Sequence, residues 1–145
     1  MMRRRQTIVV LALLGLLVAT YLWLYKIGVI GVLQCGTGGC EAVQASRYAE
    51  LFGVPVAFVG VAGYALLLGV GLVGVQPRFS ADRRVTLVLA ALATMGFAFA
   101  SYLTAIELFV LRAVCRWCVA SAVIITAIWV LALGGLRRAP PAPTR

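Results

Sequence analysis

Four uncharged and mostly apolar stretches, at residues 6–25, 51–77, 85–106 and 117–136, restrict this chain more than anything else in it. Each can cross the hydrocarbon core of a bilayer as a helix, which takes about 20 residues. In lipid every backbone N–H and C=O must be satisfied within the chain, and a helix does that locally. The expectation is an all-α membrane protein, a four-transmembrane-helix bundle with helices at about 6–25, 55–77, 85–107 and 115–136. Composition agrees, at 63% hydrophobic and 12% charged, where soluble domains show about 45–50% and about 25%. Residues 1–138 read as one such domain, and 139–145, with three prolines, as a short disordered tail.

A formal charge of +9 would suit nucleic acid if the basic residues shared one face. They are instead spread between the apolar runs, so no nucleic-acid partner is expected. Arg3, Arg4 and Arg5 precede the first span, Arg78, Arg83 and Arg84 join the second to the third, and Arg137, Arg138 and Arg145 follow the fourth. Asp82 is the one acid among them. The other connections carry Lys26, Arg47, Arg112 and Arg116 against Glu41, Glu50 and Glu107. Cytoplasmic loops hold the excess of Arg and Lys, so both termini are read as cytoplasmic. Arg3 to Arg5 before an apolar run also resemble a signal peptide, whose apolar core runs about 7–15 residues. Here the run continues to an aromatic belt at Tyr21, Trp23 and Tyr25, which favours a retained helix.

All four cysteines fall on the other side, where disulfides form and persist. Cys35 and Cys40 lie between the first two spans, and Cys115 and Cys118 stand where the fourth begins. A buried cysteine often packs as a small hydrophobe. Four at one membrane face, none in mid-helix, argue for chemistry. Gly36, Thr37, Gly38 and Gly39 separate the first pair, a backbone permissive enough to close a disulfide or carry a sulfur elsewhere. The bland alternative is a static staple, although closing so short a loop stabilises little.

Cys115-Arg116-Trp117-Cys118 is a CxxC in the first turn of a helix. Unpaired backbone N–H groups and the positive end of the helix dipole favour thiolate there, and Arg112 and Arg116 act in the same direction. The motif also serves zinc and haem. Four thiolates could form a zinc set, but two membrane crossings separate the pairs and the chain has no histidine. Haem attachment fails because Val119 follows Cys118. No metal is expected. Glu107 ends the third span, placed to take up protons or to pair with Arg112. Gly60, Gly63 and Gly96 read as close-packing positions between helices.

Cys35-Gly36-Thr37-Gly38-Gly39-Cys40-Glu41, Ser46-Arg47-Tyr48, Gly53-Val54-Pro55 and Cys115-Arg116-Trp117-Cys118 together resemble bacterial homologues of vitamin K epoxide reductase. The likeness covers nearly the whole chain. It implies a bundle around a quinone, capped on its extracytoplasmic side by the loop between helices one and two, in a bacterial inner membrane. The implied activity is that of a disulfide-generating thiol:quinone oxidoreductase. In that scheme Cys35 exchanges with a thioredoxin-like (DsbA-like) partner, Cys40 relays to Cys115, and Cys118 attacks the quinone, ubiquinone or menaquinone. Ser46 matches a serine near the family's site, and Arg47 follows it. Many bacterial members carry a fused thioredoxin-like domain, whereas this chain is expected to use a separate one.

Two positions depart from vertebrate members. Ala122 stands where they have a tyrosine one turn after the CxxC, and Pro55, Val56 and Ala57 occupy the region of their asparagine. A respiratory quinone is therefore expected rather than vitamin K epoxide. Two other readings stay open at this point. One is a quinone-independent transmembrane carrier of reducing equivalents, which would need cysteines reachable from the cytoplasm. The other is a zinc-stabilised scaffold, which stoichiometric zinc would reveal.

Overall fold

The chain crosses from end to end four times. The helices are α1 (Met2–Lys26), α2 (Val56–Val75), α3 (Arg83–Ala105) and α4 (Arg116–Arg138). Each is long and apolar enough to span a membrane. The structure, a computed structural model, describes residues 2–29, 31, 42–43 and 45–138. Cys35, Cys40 and the expected tail at 139–145 lie outside the described residues.

Helix α1 packs along α2 and α4, α3 packs along α4, and the α2–α3 seam is the least closely packed of the four. Lipid tails are as apolar as leucine, so helices associate in a bilayer through close packing of small residues. Ala12 and Ala93 are wholly buried in the central core with Ile8, Leu67, Leu89 and Ile128. A Cβ at Gly71 would come within 2.9 Å of Val9, and one at Gly96 within 2.9 Å of Ile125. Gly96 therefore packs as expected, and a Cβ at Gly60 would only touch Ala19 at 3.4 Å. Gly63 departs from the expectation. Nothing lies within 4 Å of the place its Cβ would take, because it opens onto the cavity described below.

At the arginine-rich end, Arg5 lies inside α1, with its side chain buried. Its Nη1 donates to the carbonyls of Gly74 and Phe79, each at 2.7 Å. Its Nη2 donates to the Asp82 carbonyl at 3.1 Å and to Thr86 Oγ1 at 2.9 Å. These bonds satisfy a carbonyl at the end of α2 and others along the turn to α3, groups a helix cannot satisfy for itself. Asp82 Oδ1 accepts from the Arg84 N–H at 2.9 Å and caps α3.

At the opposite end, β1 (Glu50–Leu51) and β2 (Val54–Pro55) form a two-stranded hairpin. Phe52 and Gly53 make its turn at φ 53° and 80°, the positive values that tight hairpin turns require. Lys26 Nζ reaches Glu50 Oε1 at 3.6 Å and ties α1 to this hairpin. Here too α3 continues into a widened π-helical turn, Ile106–Leu111. Arg112, with φ 52°, closes it by donating its N–H to the Glu107 carbonyl.

Candidate functional site

The widened turn decides where Glu107 points. Leu108, Phe109 and Val110 are exposed, as a lipid-facing surface requires, while Ile106 and Glu107 turn inward. π-turns of this kind insert an extra residue into a helix and so re-aim the side chains that follow. The Glu107 carboxylate accepts the Cys115 N–H at 3.5 Å, and the Cys118 thiol reaches the same group. Among the described residues no ion pair joins Glu107 to Arg112, which is exposed.

Cys115 is the N-cap of α4. Its carbonyl accepts the first helical bond, from the Val119 N–H at 2.9 Å, and its sulfur accepts the Cys118 N–H at 3.3 Å. A cap side chain takes such a bond from the second or third residue of the helix. Cys115 is wholly buried, in a cluster with Leu22, Val43 and Ala57. Its thiol sits below its ordinary range. The largest cause is the hydrogen bond from the Cys118 thiol, with the Cys118 N–H adding to it, while burial and the Glu107 carboxylate oppose. Arg112 and Arg116 are both exposed, so solvent screens them, and hydrogen bonds to the sulfur dominate. The two sulfurs are not bonded to each other.

Cys118 is the accessible member of the pair. It lines an apolar cavity of about 720 Å3, a size typical of small-molecule sites. The cavity occupies the loose α2–α3 seam. Gly63 and Leu66 border it on α2, Met95 and Phe99 on α3, and Ser121 and Ile125 on α4. The residues between α1 and α2 roof it with Ser46, Tyr48 and Leu51. Ser46 Oγ donates to the Val43 carbonyl at 2.7 Å and so folds that roof.

The structure thus brings Cys115, Cys118 and Glu107 together and sets Ser46 on the wall of the same cavity. Arg47 is exposed outside it, against Tyr48, with Nη2 at 3.3 Å from the phenol oxygen. Sequence reasoning missed Tyr64 and Ser121, which meet on the cavity wall. A signal was present. Tyr64 is the one side chain in α2 that can hydrogen-bond, and Ser121 follows Cys118 by three residues, on the same helix face.

A four-helix membrane bundle that holds a cysteine pair against a lipid-side apolar cavity defines a membrane oxidoreductase working through thiols. The family model for the vitamin K epoxide reductase family matches residues 6–133, and the chain belongs to that family. Its members are membrane oxidoreductases that couple disulfide chemistry to quinones and work with thioredoxin-like proteins. The residues present fit a quinone, since the cavity is apolar, of suitable size, and has a redox-competent sulfur on its wall.

Proposed function

We propose that this chain oxidises the thiols of a thioredoxin-like (DsbA-like) protein outside the bacterial inner membrane and passes the electrons to ubiquinone or menaquinone. One observation carries the reading: Cys118 lines the apolar cavity with Cys115 as its partner behind it. Leu66 and Met95 on the cavity rim are 56% and 71% exposed, which suits lateral entry of a lipid-dissolved molecule between α2 and α3. When bound, a quinone takes up two electrons and two protons. Cys118 delivers the electron pair through its sulfur, and Cys115 then bonds to Cys118, so two thiols become one disulfide. Glu107 is placed to accept a proton released in that step.

The Cys115–Cys118 disulfide is then reduced again from the loop pair. Partner thiols reduce the Cys35–Cys40 disulfide, and Cys40 exchanges with Cys115 through a mixed disulfide. Val43, three residues after Cys40, packs in the same cluster as Cys115. Ser46 holds the roof over the cavity, and Arg47 faces the partner's side. The arginine-rich end faces the cytoplasm with both termini, and all four cysteines work at the other face. Residues 1–138 act as one domain, followed by the short tail at 139–145. The test is quinone reduction by purified protein with a reduced thioredoxin-like donor, over several quinones. One quinol per donor disulfide is expected. Donor oxidation without quinol from any quinone would overturn the reading.

A further inference from the structure

Of the five hydroxyls on the cavity wall, two are committed to backbone, and a third, on Tyr48, accepts from Arg47. Ser46 Oγ donates to the Val43 carbonyl, and Thr104 Oγ1 to the Ala100 carbonyl at 2.8 Å. Tyr64 and Ser121 differ. The Tyr64 hydroxyl donates to the Ser121 carbonyl at 2.8 Å and lies 2.9 Å from Ser121 Oγ. Two hydroxyls carry two donor protons. The Tyr64 proton is taken up by the Ser121 carbonyl, and among the described residues the Ser121 proton has no acceptor beyond the Tyr64 oxygen itself. It can turn to a ligand at the cost of one weak bond.

The pair is also held rigidly. The Tyr64 ring is 5% exposed and lies in a slot over Gly15, where any Cβ would overlap its ring atoms. Its hydroxyl therefore has one direction, across to α4. Ser121 lies one turn along α4 from Cys118, about 4.5 Å in axial rise. Both face the cavity. A flat ring in contact with Cys118 Sγ would present an edge oxygen to that turn.

We propose that the Tyr64–Ser121 hydroxyl pair is the hydrogen-bond donor for a carbonyl oxygen of the quinone. The inference rests on the quinone reading above and adds how the ring is oriented. The balance is unchanged: two thiols give up two electrons and two protons, and the disulfide and quinol result. Negative charge develops on the carbonyl oxygens as Cys118 delivers its electron pair. A donor fixed beforehand at that oxygen stabilises the charge without reorganising.

The test uses Tyr64→Phe, Ser121→Ala and Ser121→Thr in the full chain in lipid, with ubiquinone bound to each. A hydrogen bond lowers the stretching frequency of a quinone carbonyl, and infrared difference spectra read that shift without turnover. The wild type and Ser121→Thr should show one lowered carbonyl band, Ser121→Ala should lose it, and Tyr64→Phe, which keeps the Ser121 proton but not the phenol that holds its hydroxyl in place, should show it broadened and shifted. Quinone kcat/KM should fall by about tenfold or more in those two. Reduction of the Cys115–Cys118 disulfide by a small dithiol should stay within twofold of the wild type. An unchanged carbonyl band with kcat/KM within twofold in both variants would overturn the proposal and leave the quinone reading standing. A wild type that neither binds nor reduces any quinone would remove both.

Discussion

Cys115 and Cys118 share four residues of sequence but not one environment, and the difference assigns their work. Cys115 caps α4 with its sulfur and is wholly buried, so it is the member best held as thiolate and least able to meet a ligand. Cys118 lines the cavity and is the member that can. Replacing Cys118 by Ser should therefore abolish quinone reduction with every thiol donor. Replacing Cys35 should impair the protein donor while a small dithiol still supports turnover. Equal loss with both donors on changing Cys35 would count against the shuttle. Glu107 gives a second prediction with a definite sign. Its carboxylate opposes ionisation of Cys115, so Glu107→Gln should move the thiolate absorbance of the reduced pair to lower pH. If Glu107 also accepts a proton during turnover, quinone reduction should slow in the same variant. Ionisation made easier together with faster turnover would reduce Glu107 to an electrostatic neighbour.

Between the helices, the element that most depends on one side chain is the turn from α2 to α3. Arg5 gives four hydrogen bonds there, three of them to carbonyls. Leaving a buried acceptor unpaired costs about 1–3 kcal/mol. Arg5→Leu should thus cost at least about 2 kcal/mol, seen as a lowered midpoint of thermal unfolding in detergent, whereas exposed Arg3 should tolerate the same change. Equal effects at the two positions would mean that the arginine run matters only as charge. The sequence distinguishes neither residue, since Arg3, Arg4 and Arg5 form one run. The four spans were legible because lipid forces a long apolar stretch into a helix whatever its neighbours. The π-turn at Ile106–Leu111 was not, because its bonds depend on turning Glu107 inward toward a cysteine pair that comes later in the chain. Likewise the CxxC announced Cys115 and Cys118 by spacing alone, while Tyr64 and Ser121 meet across 57 residues with no local pattern to join them.

Taken as a whole molecule, the bundle separates two tasks along its length. The arginine-rich end is sealed by Arg5, and the end with Cys115 and Cys118 is roofed by the chain between α1 and α2. On the function proposed above, electrons from a water-soluble donor cross that roof, and the proposed relay from Cys40 to Cys115 would be the step that does so. The relay requires an enzyme form with a disulfide between the loop and the head of α4. Replacing Cys35 by Ser leaves Cys40 without its loop partner, and replacing Cys118 by Ser leaves Cys115 without its helix partner. The double variant should accumulate the Cys40–Cys115 bridge, provided the two Cα atoms come within about 7 Å. Val43 already packs beside Cys115, so the chain three residues beyond Cys40 is held at the right place. A protease site introduced into the turn between α2 and α3 makes the bridge visible. The two cleaved halves should travel together on a non-reducing gel and part on reduction. Halves that separate without reductant, with both thiols still open to alkylation under oxidising conditions, would break the relay and leave two disulfides with no route between them.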